Sequence, residues 1–371
     1  MKIVLIGPSY PFRGGISHYT TLLYRELKRP HHVKFFAFKR QYPRFLFPGK
    51  TDKDISKAPI KEEDIENILD SLNPLSWWKV CRKIKLLSPE IVIFPWWVSF
   101  WAPQFWAITS FVKKFTKAKV LFICHNVIEH ESNILTKIIT RFVLKNGDYF
   151  IVHSKQDLNN LARLLPDSNI KQTPHPTYEV FNFKSFDKKE AKKTLGLRGG
   201  VLLFFGFIRP YKGLEYAIRA LPLIFKEMSV TLLIVGEFWK DKKRYLKLIE
   251  ELKLKDKIKI IDRYVSNEEI PLYFSACDIV LLPYISATGS GIVQIAFAFN
   301  KPVVASRVGC LPEVVNDRKT GYLVNPKDHQ AIAEAVIDYY EGNKSPEFVR
   351  NIEEEKEKFS WNNLIKVIES F

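Results

Sequence analysis

Residues 201–220 read VLLFFGFIRPYKGLEYAIRA, and the fold follows from how that stretch is parsed. The unbroken apolar run 201–208 predicts a buried strand. Arg209, Pro210 and Gly213 predict a turn, and the spacing of Ala217, Ile218 and Leu221 predicts a helix starting near Leu214. Two cations, Arg209 and Lys212, then fall where the carboxyl end of a strand meets the amino end of a helix. Open α/β sheets bind ligands at that edge, and helix-end N–H groups carry partial positive charge there. The pair reads in two ways: surface cations of an ordinary βα turn, or a site for a multiply charged anion such as a diphosphate.

Outward from this stretch the pattern repeats. Apolar runs at 230–236, 258–262, 278–283 and 302–305 alternate with helical spacing, which predicts βαβα order and a parallel sheet. The first half follows the same plan, with strands expected at 2–6, 33–38, 91–94, 119–124 and 148–153 and a helix at 75–87. The segment 173–183, TPHPTYEVFNF, reads as a linker. A chain of 371 residues has room for about two domains. The fold class is therefore α/β, with Rossmann-like parallel-sheet domains over 1–176 and 177–360. A charged helix at 346–358 and a last helix from Trp361 close the chain.

The net charge of +17 is uneven. Residues 1–175 carry 27 Lys and Arg against 14 Asp and Glu, so +13, which leaves +4 for the rest. A basic first half suggests an anionic partner. No nucleic-acid module accompanies it, so an anionic membrane surface is expected and nucleic acid is not. Cys81, Cys124, Cys277 and Cys310 are far apart and lack metal spacing, which reads as reduced, buried thiols. The amino end enters a strand at once, MKIVLIG, so no signal peptide is expected and the localisation expected is cytoplasmic.

Residues 91–112, IVIFPWWVSFWAPQFWAITSFV, hold 22 positions without a charge, long enough to span a bilayer. Pro95 and Pro103 and the fit to strand–loop–helix argue against a span. Trp96, Trp97, Trp101 and Trp106 favour an interface between apolar and wet phases, or else the core. An exposed patch of Trp96, Trp97 and Trp101 beside a basic half would dock on the inner face of the cell membrane peripherally.

Three further segments stand out. Gly14 and Gly15 precede a helix with apolar positions Ile16, Tyr19, Leu22, Leu23 and Leu27, and adjacent glycines let backbone N–H groups approach a ligand. Their spacing is not a dinucleotide fingerprint, which argues against an epimerase or dehydrogenase. His18 lies in that helix's first turn, as an outward polar residue or part of an acceptor face. His125 follows a strand's carboxyl end, where site residues gather, with His130 and Glu131 as weaker candidates. Asp52 and Asp54 imitate a metal motif but lie in a charged segment with no strand before it, so they read as solvated loop.

Taken together these segments resemble family 4 glycosyltransferases. FFGFIRPYKGLEYAIRAL is similar to the family's G-R-x-x-x-x-K-G-x-x-x-L-x-x-A segment. VSNEEIPLYFSACDIVLLPY and SGIVQIAFAFNKPVVASRVGCLPEVVNDRKTGYLV resemble its later segments, GPSYPFRGGISHYT its glycine–glycine loop, and ICHNVIEHE its histidine segment. The resemblance implies the GT-B fold, two Rossmann-like domains facing across a cleft, with the last helix crossing back to the first. It implies a nucleotide-diphosphate sugar as donor, no metal or other cofactor, retention of anomeric configuration, and a lipid-linked or glycan acceptor. Arg209 and Lys212 would hold the donor diphosphate, Gly14 and Gly15 would approach phosphate or sugar, and His125 would face the transferred sugar. Thr288, Gly289, Ser290, Gly291 and Ile292 would offer amides to sugar and phosphate, and Arg263, Tyr264 and Val265 would lie beside the base. Many members carry two glutamates around this loop; here Ala287 and Ile295 stand in their places, and ATGSG resembles a branch with an A-T-x-S-G pattern. Thr288, Ser290 and Gln294 are candidate substitutes. The missing carboxylates leave a second reading open, a non-catalytic nucleotide-sugar or membrane-binding protein of the same fold.

Overall fold

The computed structural model describes residues 1–43, 51–57, 60–128 and 134–371. His130 and Glu131 lie outside them. The described chain divides into two units.

The first unit comprises Met1–Asp54, Ile60–Pro174 and Trp361–Phe371. Its elements are β1 (Lys2–Gly7), α1 (Gly15–Leu27), β2 (His32–Arg40), β3 (Glu66–Asp70), α2 (Pro74–Leu87), β4 (Ile91–Trp96), α3 (Ala102–Phe115), β5 (Lys119–Cys124), α4 (Ile134–Leu144), β6 (Tyr149–Val152), α5 (Lys155–Leu164) and β7 (Asn169–Gln172). The strands form a parallel sheet in the order β3-β2-β1-β4-β5-β6-β7. Alternate residues of its central strands point to opposite faces, so both faces need a cover. Val4, Ile6, Val92 and Phe94 pack with Val80, Phe105 and Val143 of α2, α3 and α4. Leu5, Ile93 and Ile123 pack on the other side with Tyr19 and Leu23 of α1 and with Leu364 and Ile368. The last two belong to the chain's closing helix, Trp361–Glu369.

The stretch 91–112 resolves into β4, a 3₁₀ turn at Ser99–Trp101, and α3. Among the described residues no helix is long and apolar enough to cross a membrane. Trp96 and Trp101 are each 1% exposed, which corrects the expectation that they form a membrane face. Trp101 is enclosed by Trp97 at 4.1 Å, Tyr42 at 4.6 Å and Phe38 at 5.9 Å between ring centres. Burying an indole of this size is worth more than leaving it at a polar boundary. Trp97 is half-buried in the same cluster.

The second unit comprises Ile55–Pro59 and His175–Ser360. It contains α6 (Lys188–Thr194), β8 (Gly200–Phe205), α7 (Leu214–Ile224), β9 (Val230–Val235), α8 (Lys242–Glu251), β10 (Ile258–Ile261), α9 (Ile270–Ala276), β11 (Ile279–Leu282), α10 (Gly291–Ala298), β12 (Val303–Ser306), α11 (Leu311–Val314), β13 (Gly321–Val324), α12 (His329–Glu341) and α13 (Ser345–Glu355). Its sheet is parallel in the order β10-β9-β8-β11-β12-β13. Strand order reverses between β8 and β11, and ligand crevices of open α/β sheets form at such a switch point. Phe204, Ile234 and Leu281 meet Ile218, Leu221 and Val336 in its core. The four cysteines are buried and none is in a disulfide.

Candidate functional site

In the second unit the pairing of β8 with β9 continues beyond both strands. Gly206 N donates to the Val235 carbonyl at 2.9 Å, Ile208 N to the Glu237 carbonyl at 2.9 Å, and Trp239 N to the Ile208 carbonyl at 3.3 Å. That extension brings Arg209 over Trp239, with its guanidinium carbon 4.4 Å from the ring centre. Phe207 packs on the same indole at 4.7 Å, and Tyr264 stacks on Phe207 at 6.2 Å. Pro210–Lys212 form a 3₁₀ turn, and α7 starts after Gly213 at φ 67°. Ile285 N donates to the Tyr211 carbonyl at 2.7 Å and ties this turn to the loop after β11.

Lys212 is part-buried, and its Nζ lies 5.8 Å from the centre of the Tyr284 ring. A Cβ built on Gly206 would meet Lys212 Nζ at 3.1 Å and Ile292 Cδ1 at 3.3 Å, which places β8's end, the turn cation and the start of α10 together. Burial, and then the Arg209 charge, push the Lys212 ammonium down from 10.5 to about 8. Two like charges short of solvent are relieved by an anion between them. Tyr284 Oη and Ser290 Oγ are 3.2 Å apart, the Thr288 carbonyl accepts from Cys310 N at 3.1 Å, and the N-cap Ser290 side chain makes no capping bond to α10. Among the described residues a Cβ on Gly289 would meet Cys310 Sγ alone, at 3.8 Å. Gly291 lies against Tyr178. Ala287 and Ile295 are both buried apolar residues.

The guanidinium of Arg263 is engaged within the protein by a two-pronged pair with Glu269, one prong 2.8 Å long. The pair holds the Glu269 carboxyl down at about 2. Val265 is buried.

In the first unit Gly14 caps α1 at φ 115°, and a Cβ on Gly14 or Gly15 would meet no heavy atom of the described residues within 4 Å beyond its chain neighbours. His18 Nε2 is 3.0 Å from Asp54 Oδ2, whose side chain is fully buried. The segment is pinned by Arg13 N donating to the Asp52 carbonyl at 2.9 Å and Asp54 N to the Pro11 carbonyl at 2.7 Å. Asp54 is therefore not the solvated loop residue expected; a loop distant in sequence folds it beneath α1. Among the described residues no three or more His, Cys, Asp or Glu side chains converge as metal ligands.

His125 follows β5, with its ring edge-on to Tyr19 at 4.3 Å. Tyr19 Oη is 3.1 Å from His153 Nε2, and His153 Nδ1 is 2.9 Å from the Thr173 carbonyl. A carbonyl only accepts, so Nδ1 carries the proton and Nε2 accepts from Tyr19. Burial pushes His153 down from 6.5 to about 4. The folded value lies below the unfolded one, so stability from the neutral ring is full above pH 6.5 and is lost as pH falls towards 4. Urea unfolding is expected to show a loss of about 2–3 kcal/mol between pH 7 and 4.5. His153→Gln should flatten that slope; equal slopes in both proteins would refute the assignment.

Trp239, Glu237 and Tyr284 were not singled out from sequence. Glu237 is 4% exposed, and the signal for it and Trp239 was GEFW directly after the strand 230–235, at the same edge as Arg209.

Two parallel-sheet Rossmann-like units define the GT-B fold, and solved structures agree. Sucrose-phosphate synthase from Thermosynechococcus elongatus superposes with a TM-score of 0.74 at 18% identity, covering 100% of this chain and 98% of its own. Anabaena HepE in complex with UDP gives 0.75 at 18% identity, covering 100% of both chains. Residues 185–359, within the second unit, match the family model described as glycosyl transferases group 1. An uncharacterized glycosyltransferase of Methanocaldococcus jannaschii is 28% identical over 185 residues, 48% of this chain and 47% of the relative. The D-inositol 3-phosphate glycosyltransferase 2 of Catenulispora acidiphila is 27% identical over 232 residues, 59% of this chain and 54% of the relative. The chain thus spans about half the length of the curated relatives it matches.

Proposed function

We propose that the protein is a retaining, hexosyltransferase-type glycosyltransferase that moves a sugar from a nucleotide-diphosphate sugar to a lipid-linked or glycan acceptor in cell-surface polysaccharide or glycolipid synthesis. The observation that carries this reading is the placing of Arg209 and Lys212 at the strand–turn–helix junction of the unit that matches the group 1 glycosyltransferase model, beside the start of α10. As the bond from the anomeric carbon to the diphosphate oxygen breaks, its electron pair leaves with the phosphate and the sugar ring gains positive character. Two cations and helix-end amides aimed at that oxygen stabilise the departing charge. The acceptor hydroxyl then bonds to the anomeric carbon, and its proton passes to the leaving phosphate.

Because side-chain cations supply this charge, transfer is expected to survive chelation. Release of nucleoside diphosphate from a panel of UDP-, GDP- and ADP-sugars, with and without EDTA, tests both points. An absolute requirement for Mg²⁺ or Mn²⁺ would overturn the metal-independent mechanism. The burial of apolar Ala287 and Ile295 where many relatives carry glutamates favours a second reading, a protein that binds nucleotide-sugars without transferring the sugar. Nucleotide-sugar binding without release from any donor, with acceptor extracts present, would favour it.

A further inference from the structure

Helix α4 carries three faces. At about 100° per residue, Thr140, Val143 and Leu144 fall on one side and are buried. Ile134, Leu135, Ile138 and Phe142 occupy a continuous arc of about 100° elsewhere on the helix. They are 78, 62, 59 and 55% exposed. Trp106 of α3, 41% exposed, stacks on Phe142 at 5.3 Å and widens this apolar ridge. Lys137 and Arg141 run along the ridge's edge and Lys145 follows the helix's last residue, all exposed. No acidic residue occurs from 134 to 145. A single exposed leucine is ordinary in a folded protein, whereas five neighbouring large apolar side chains mark a surface that something covers.

The charge pattern selects the occupant. A second copy packed on this face by a two-fold axis would set the same cations near one another. A lipid bilayer with anionic headgroups suits both halves of the pattern. The ridge enters the acyl boundary, while the cations reach phosphate level on flexible stems. Residues 1–175 carry +13, which adds long-range attraction to the same kind of surface.

We propose that α4 with Trp106 is a membrane-docking face that holds the protein peripherally on an anionic lipid surface such as the inner face of a cell membrane. The face replaces buried Trp96 and Trp101 in that role. It deepens the lipid-linked acceptor reading without resting on it, because vesicle binding needs no transfer.

Flotation of the full chain with phosphatidylglycerol-containing vesicles and with pure phosphatidylcholine vesicles is the test. Wild-type protein is expected to float with the anionic vesicles at low salt and to bind more weakly in half-molar salt, where the screening length shortens to about 4 Å. Ile138→Glu with Phe142→Glu should reduce binding about tenfold or more at any salt, and Lys137→Glu with Arg141→Glu should remove the preference for anionic lipid. All four side chains are exposed, so unchanged melting temperature and UDP binding should accompany these losses. As a second measurement, brominated lipid should quench tryptophan emission in the wild type and less in Trp106→Phe. Failure of the wild type to float, wild-type binding by the double glutamate variant, or a dimer that this variant splits would each overturn the proposal. Failure of UDP binding alone would count only against the transferase reading.

Discussion

Lys212→Met is expected to lose nucleoside diphosphate affinity and to raise the melting temperature of the ligand-free protein. Both outcomes come from one part-buried ammonium held at about 8 by desolvation and by Arg209. A charge-assisted hydrogen bond to phosphate is worth about 1.5–3 kcal/mol, so UDP or GDP should bind roughly 10- to 150-fold more weakly to the variant. The stability sign is the opposite. The folded value lies below the 10.5 of an exposed lysine, so Lys212's contribution is complete above pH 10.5 and is lost as pH falls through 8. At pH 7 the charged amine therefore destabilises the empty protein, by at most about 3 kcal/mol and less with partial solvent access. Methionine keeps the stem and removes the charge, so the melting temperature should rise by a few degrees. Residues held for function at the expense of stability behave this way.

The same group sets a pH dependence of binding. A bound diphosphate raises the Lys212 value above 8, so wild-type affinity should be highest below pH 8 and fall by up to about tenfold per unit above it. Arg209→Ala should weaken binding by a similar factor while keeping a pH dependence of the same form, with its onset moved to higher pH because Lys212 loses the neighbouring charge that lowers it. Calorimetric titration of UDP from pH 7 to 9.5 separates the two. Wild-type affinity in both variants would remove the anion site from this turn.

Strands that run apolar without interruption were legible because both sheet faces are covered, as in 201–205 or 120–124. The polar strands β3, ENILD, and β7, NIKQ, were not, because each is a sheet edge with half its surface open and needs no apolar run. Four-residue β13 was likewise too short to separate from the turn before it. The position of Arg209 and Lys212 could be read from local order alone, since strand, turn and helix adjoin in the chain. Asp54 beneath His18, and Arg209 over Trp239, could not, because each contact joins segments some 30 residues apart. The tryptophans misled for a related reason: an indole suits a core as well as an interface, and its neighbours Phe38, from β2, and Tyr42, just past it, are about 60 residues away in the chain. The apolar ridge of α4 was hidden in the same way. ILTKIITRFVL reads as an ordinary core helix until burial shows which face the sheet covers.

Gly213→Ala should be far more damaging than its single methyl suggests. Gly213 sits at φ 67°, a backbone region where an L side chain costs roughly 1–3 kcal/mol. Its Cβ would also stand 1.9 Å from the carbonyl oxygen of Pro283, a backbone atom that cannot rotate away. Relief requires the 3₁₀ turn and the loop after β11 to part, and the bond from Ile285 N to the Tyr211 carbonyl resists that movement. Together these terms exceed about 3 kcal/mol, a large fraction of a domain's 5–15 kcal/mol. The variant is therefore expected to melt at least about 6 °C lower. It should bind UDP poorly even where it remains folded, because Lys212 moves with the turn. Gly289→Ala supplies the contrast, since its Cβ would rest 3.8 Å from Cys310 Sγ, an ordinary contact, and it needs no positive φ. That variant should unfold with the wild type, within about 0.5 kcal/mol. Thermal melts of the two proteins side by side decide the matter. Equal melting temperatures would mean that the β8–α7 turn is free to shift, and that a pre-set cation pair at this edge is the wrong description.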